Sequence, residues 1–90
     1  MNIPKIKICR VQDMETAIKL VELGVDYIGM HLISKEDISV IKDFSQINFH
    51  LSQKYNYSNS VLVTKINDPQ LLQNLIIEGK FTYLQVHSII

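Results

Sequence analysis

Hydrophobic and polar residues alternate along the stretch from Lys5 to Val11. A period of two is typical of a β-strand, because successive side chains of a strand point to opposite faces. One face of this predicted strand carries Ile6 and Ile8. The other face carries Lys5, Lys7 and Cys9, so the single cysteine lies on the polar side.

Helical spacing follows this strand. Asp13 can cap a helix whose apolar residues recur every three or four positions, and Gly24 ends it where a left-handed residue is wanted. The apolar stripe consists of Met14, Ala17, Ile18 and Val21, with Leu20 beside it. The short apolar run from Tyr27 to Ile33 then predicts a buried strand.

Ser34 is the next predicted N-cap, with two acidic residues, Glu36 and Asp37, in the first turn, where the helix dipole favours them. Ile38, Ile41 and Phe44 are the expected buried face of this second helix. The segment 45–57 fits two structures: Ile47, Phe49 and Leu51 alternate as in a strand, whereas Gln46, Gln53 and Lys54 suit a helix. We favour a helix to about Gln53, because a strand there would break the order of the elements that follow.

The remaining elements have clear boundaries. A polar turn at 56–60 precedes a strand from Val61 to Ile66, and Asp68 with Pro69 begins a third helix that Gly79 ends. Phe81 to Ile90 is the fourth predicted strand. The order β-α-β-α-β-α-β predicts one α/β domain over residues 1–90, with a parallel sheet in the order 1-2-3-4 and right-handed crossovers.

A weak internal repeat supports this order. Shifting the chain by 55 positions places the segment from Arg10 to Asp13 on the segment from Lys65 to Asp68. Each segment holds a basic residue, an aliphatic residue, an amide and a capping aspartate, in that order. The same shift matches Leu20 to Leu75, Val21 to Ile76 and Gly24 to Gly79. Two copies of a βαβ unit are therefore predicted.

Composition narrows the class of protein. Nine basic residues balance nine acidic ones among 90 residues, so no net charge favours nucleic acid or an anionic membrane. We expect no signal peptide or membrane span, and the single cysteine agrees with a reducing, cytoplasmic location. Cys9, His31 and His87 lack the close spacing of a zinc site, and we predict no metal.

Three short motifs resemble the phosphoribosylanthranilate isomerase family. They are Lys7-Ile8-Cys9, Gly24-Val25-Asp26 followed by Gly29, and Leu84-Gln85-Val86-His87. The family has a (β/α)8-barrel fold, which needs about 200 residues or more. The resemblance therefore implies that these 90 residues form the first half of such a barrel.

The resemblance also implies a reaction, the Amadori rearrangement of an aminoaldose to an aminoketose in tryptophan biosynthesis. It places Cys9 at the general-base position, and a thiolate can accept a proton near neutral pH. Lys7, Gln85 and His87 would face the barrel interior and bind the phosphorylated sugar–anthranilate substrate. Lys35 matches the lysine of a substrate-binding loop after the second strand. No cofactor is implied.

This sequence departs from the family pattern at several points. Ile38 stands where an arginine should meet the anthranilate carboxylate, and Arg10 and Ser88 replace glycines. The general acid and the phosphate-binding loops belong to later strands, so we expect the chain alone to be inactive. Two classes remain open: half of an isomerase whose C-terminal half is missing or supplied by another chain, and a non-catalytic half-barrel relic or module that pairs with itself.

The residues themselves also admit structural interpretations. Cys9 can be a small buried packing residue, as most free cysteines are. Gln85 and His87 can be hydrogen-bonded interior residues, and His31, on the same strand face as Gly29, has little in the sequence to favour a functional role. The unpaired edges expected of strands one and four favour a homodimer.

Overall fold

The computed structural model describes residues 4–87, which form one sheet of four parallel strands in the order β1-β2-β3-β4. The strands are β1 (Lys7–Ile8), β2 (Tyr27–His31), β3 (Ser60–Thr64) and β4 (Tyr83–Val86). The helices between them are α1 (Met14–Glu22), α2 (Ile41–Tyr55) and α3 (Pro69–Gly79), and a 3-10 helix (Lys35–Val40) precedes α2. The predicted α/β half-barrel and its strand order are thus confirmed.

The core lies on one face of the sheet, beneath the helices. Ile28, Met30 and Leu62 point from the central strands to this face, and each is fully buried. Phe44 of α2 and Leu75 of α3 pack in the same cluster. Every second residue of each strand consequently points away from the helices, to the opposite face.

The sheet curves toward this helix-free face. Lys7 Nζ on β1 donates a hydrogen bond to Gln85 Oε1 on β4, although two strands separate them. A flat sheet would hold β1 and β4 about 14 Å apart, with side chains roughly perpendicular to it. The rings of Tyr27 and Tyr83 also meet edge to face on this side, with centroids 5.5 Å apart. The helix-free face is therefore concave, and barrel-interior positions lie on it.

The predicted helix starts of the two βαβ units are confirmed. The Asp13 carboxylate accepts a hydrogen bond from the Thr16 N–H at 3.0 Å, and the Asp68 carboxylate accepts one from the Leu71 N–H at 3.2 Å. Gly24 has the expected positive φ, at 86°. The units therefore share their capping chemistry as well as their order of elements.

The two βαβ units differ by one residue at the C-terminal ends of their helices, α1 and α3. Gly79 is the last residue of α3, and the left-handed residue is Lys80, at φ 59°. Gly79 is required for packing instead, since a Cβ there would lie 2.6 Å from the Phe81 ring. After the helices, equivalent positions are 56 apart rather than 55, as for Tyr27 and Tyr83. His31 and His87 thereby become equivalent.

The second helix starts differently from the prediction. The Ser34 hydroxyl makes no capping bond to the backbone and donates to the Asp37 carboxylate at 3.3 Å. A 3-10 helix intervenes before α2, which leaves Ile38 39% exposed rather than on the buried face. The helical interpretation of segment 45–57 is correct as far as Tyr55, after which Asn56 adopts a left-handed conformation at φ 52°.

The outer strands are shorter than predicted. Pairing in β1 ends before Arg10, whose backbone is left-handed at φ 63°. The next residue, Val11, is buried and donates its N–H to the Gly29 carbonyl at 3.0 Å. β4 ends at Val86, and residues 88–90 of the predicted fourth strand, with the Ser88 departure from the family pattern, fall outside the described residues. Among residues 4–87, no helix is long and apolar enough to cross a membrane.

Candidate functional site

A cleft of about 780 Å³ opens at the carboxyl ends of the strands. Parallel α/β folds bind their ligands at this end, because the loops that follow the strands meet there. The lining residues are Arg10, Gln12, His31, Ile33, Glu36, Asp37, Ser39, Val40, Lys65 and His87. The predicted site residue that lines this cleft directly is His87.

Cys9 lies at the end of β1 on the concave face and is exposed. The interpretation of Cys9 as a buried packing residue is therefore wrong in the part of the chain that the structure describes. Gly29 on the neighbouring strand leaves space for it, because a Cβ at Gly29 would lie 3.2 Å from Cys9 Sγ and 3.4 Å from Lys7 Cε. The glycine thus lets the thiol and the lysine chain lie across β2.

Lys7, Gln85 and His87 form one hydrogen-bonded chain across the concave face. Gln85 accepts from Lys7 through Oε1, and its Nε2 lies 3.0 Å from His87 Nε2. If the amide donates this second bond, the ring nitrogen that it meets is the unprotonated acceptor. The predicted inward lysine therefore has a polar partner, and the amide orients the imidazole toward the cleft.

His31 is the residue that sequence reasoning undervalued. Its Nε2 is buried and has no hydrogen-bond partner among the described residues. Burial lowers the pKa of His31 from its ordinary value, and the positive charges of Arg10, His87 and Lys7 lower it further. The sequence contains one signal for a role of His31: a shift of the chain by 56 positions pairs it with His87.

Lys35 is not brought into the cleft. Its ammonium lies 3.8 Å from the carboxylate of Asp68, the N-cap of α3, and the side chains of Lys35 and Asp68 are 66% and 44% exposed. Its neighbours Glu36 and Asp37 line the cleft instead. The structure therefore brings four of the five predicted site residues to the concave face, namely Cys9, Lys7, Gln85 and His87.

The described part of the chain, residues 4–87, contains no group of three or more His, Cys, Asp or Glu side chains that could hold a metal ion. The acidic residues of the cleft, Glu36 and Asp37, lie on the 3-10 helix, whereas the histidines lie on β2 and just after β4.

Comparison with known proteins finds one informative relative. The chain is 33% identical over 89 residues to N-(5'-phosphoribosyl)anthranilate isomerase 2 of Methanosarcina mazei. The match covers 93% of this chain but 37% of the relative, so the chain spans little more than a third of that protein's length. No protein-family model and no solved structure matches. The resemblance to phosphoribosylanthranilate isomerase is thus confirmed as a partial, N-terminal match.

Proposed function

We propose that this chain supplies the general-base half of an aldose–ketose isomerase that acts on N-(5'-phosphoribosyl)anthranilate. The observation that carries the proposal is the exposed thiol of Cys9 on the concave face, at the carboxyl end of β1. In the reaction the Cys9 thiolate takes the proton from C2 of the aminoaldose, and a proton is returned at the neighbouring carbon as the ketose forms. The general acid first opens the ring by protonating its oxygen, and the protons lost from C2 and its hydroxyl balance those gained at the ring oxygen and C1. The product is therefore an isomer, and no oxidant is consumed.

The hydrogen-bonded side chains around the thiol have distinct roles in this proposal. Lys7 lies on the same strand face as Cys9, and its ammonium is held by Gln85. In this proposal Lys7 binds the substrate, as the resemblance implies. Gln85 and His87 present polar atoms to the sugar hydroxyls or the developing enaminol.

Accessibility of the thiol is the first requirement, and it is measured by alkylation of the native protein. A small reagent such as iodoacetamide should modify Cys9 without denaturant, because the side chain is exposed. A thiol that reacts only after unfolding would contradict the placement on which the proposal rests. Cys9→Ala serves as the unlabelled control.

Catalysis needs groups beyond these four strands. The general acid that the resemblance implies lies on a later strand, so we expect the 90 residues by themselves to show no isomerase activity. Joined to the C-terminal half of a related barrel, the chain should recover activity that Cys9→Ala and Cys9→Ser abolish, whereas Ser58→Ala on the loop after α2 should preserve it. Activity that persists in Cys9→Ala would assign the base elsewhere.

A second candidate function, self-assembly, is favoured by the exposed apolar residues of the two outer strands. Ile6 is 53% and Ile8 37% exposed at β1, and Leu84 is 43% and Val86 37% exposed at β4. In the described residues each outer strand is paired on one side. Two copies that joined β4 of one to β1 of the other would close an eight-stranded barrel with twofold symmetry.

Light scattering over a dilution series tests this assembly. The wild-type chain should be a dimer, and Leu84→Lys should shift it toward monomer because a charge would be buried at the new strand pair. Leu23→Lys is the matched control, since Leu23 is 79% exposed beyond the end of α1. A soluble wild-type monomer at high concentration would refute assembly while leaving the isomerase proposal intact.

A further inference from the structure

We infer that the cleft contains an oxyanion-binding site formed by Arg10, His31, Lys65 and His87, which takes the phosphate or carboxylate group of a small molecule. The site does not depend on the proposed isomerase activity, because it concerns binding alone. The four residues lie at the carboxyl ends of all four strands: Arg10 and Lys65 follow β1 and β3, and His31 and His87 end β2 and follow β4.

The first observation is the accumulation of basic groups without acidic partners. Within residues 4–87, neither Arg10 nor Lys65 forms an ion pair; the two ion pairs there join Lys19 to Glu15 and Lys35 to Asp68. Like charges that share a cleft repel one another, and a bound anion would relieve that repulsion. Two permanent cations match the charge of a phosphate monoester dianion.

The second observation is the orphaned ring nitrogen of His31. A buried polar atom without a partner costs free energy, which a ligand atom in the cleft would recover. The charges that act on His31 come from Arg10, His87 and Lys7, all of them basic. An anion among these groups would accept a hydrogen bond from the ring and would favour its protonated form.

The third observation is the strained backbone of Arg10. A left-handed conformation at φ 63° is unfavourable for an arginine, and such strain in folded proteins is concentrated at functional sites. Arg10 lines the cleft, at the position equivalent to Lys65 in the other βαβ unit. Both units therefore contribute one cation and one histidine.

The acidic residues of the cleft occupy a separate element. Glu36 and Asp37 lie on the 3-10 helix after β2, and neither is among the groups whose charge acts on His31. The cleft therefore has a basic side at the strand ends and an acidic side on this helix. A ligand with an anionic group at one end and hydroxyl donors at the other fits both sides.

Histidine ring NMR signals of the full chain test the site directly. Inorganic phosphate, and acetate in a parallel titration at matched ionic strength, should shift the signals of His31 and His87 in a saturable way. His50 is the internal control, because it lies on α2 against Tyr55. Saturation by phosphate alone would assign a phosphate group, and saturation by acetate alone would assign a carboxylate. The absence of saturation with both anions would overturn the proposal.

Variants separate site binding from general attraction of anions. Arg10→Gly removes the guanidinium while glycine tolerates the left-handed backbone, and it should weaken binding about tenfold or more. Lys65→Gln should weaken binding similarly. Lys54→Gln makes the same charge change on an exposed part of α2 and should leave affinity unchanged. Equal loss in all three variants, or no loss in Arg10→Gly, would contradict the assignment.

Discussion

Replacing Arg10 by glycine is expected to stabilise the fold. Arg10 holds φ at 63°, a region in which the Cβ of an L-residue is crowded, and a non-glycine residue there costs roughly 1–2 kcal/mol. Glycine removes that cost, but it also makes the unfolded chain more flexible, which opposes folding by about 0.4–1 kcal/mol. At the midpoints of these two ranges the net gain in the free energy of unfolding is about 0.8 kcal/mol, and the ranges limit it to between about 0 and 1.6 kcal/mol.

Two controls isolate the backbone contribution. Arg10→Ala removes the same charge but keeps a Cβ at the left-handed position, so its free energy of unfolding should rise little. Lys80→Gly relieves the same strain elsewhere, because Lys80 has φ 59°. It also removes the hydrogen bond from Lys80 Nζ to Ser45 Oγ, which is exposed, so its gain should be somewhat smaller.

Thermal unfolding by circular dichroism measures these differences, in a buffer without phosphate so that no bound anion contributes. For a domain of this size a gain of about 0.8 kcal/mol corresponds to a rise in Tm of about 3–6 °C for Arg10→Gly. Equal Tm values for Arg10→Gly and Arg10→Ala would refute the reasoning. In that case charge removal, and not backbone relief, would explain any change.

Three further predictions concern buried or half-buried positions. Gly79→Ala should lower the free energy of unfolding, measured by urea titration, by at least about 1 kcal/mol. The new Cβ would lie 2.6 Å from the Phe81 ring and 2.7 Å from Ile41 Cδ1. Unchanged stability would mean that the ring moves freely. Burial, with smaller contributions from nearby groups, raises the pKa of Tyr57 to about 12, so stability should be lost as pH rises from about 10 toward that value, and Tyr57→Phe should abolish this loss. The pKa of His31 is lowered by burial and neighbouring cations, so the unfolded state binds the proton first and stability should fall as pH drops below 6.5. His31→Gln should reduce this loss of stability at low pH, and an unchanged loss would show that other groups cause it.

The order of elements and the strand order were readable from the sequence because they depend on local patterns. Asp13 and Asp68 cap helices through backbone N–H groups three residues away, so the residue type and its position suffice. Gly24 ends its helix for the same local reason. The parallel sheet follows from the alternation of strands and helices together with the handedness of the crossovers.

The sequence also predicted most of the site side chains that lie on the concave face. Cys9, Lys7, Gln85 and His87 alternate onto one side of their strands, and the resemblance supplied a reason to select them. Lys35 lies away from the cleft, and the sequence could not show this because a loop position says little about where a long side chain finds a partner. It pairs with Asp68, which is distant along the chain.

Tertiary structure alone decided the features that depend on curvature and on contacts between distant segments. Bending of the sheet lets Lys7 on the first strand reach Gln85 on the fourth, and it gathers Arg10, His31 and Lys65 around one cleft. The left-handed backbone of Arg10 and the unpartnered nitrogen of His31 are likewise invisible in residue patterns. Periodicity determines which side of its own strand or helix a side chain occupies, whereas the distance between two such sides is set by how the whole sheet packs against its helices.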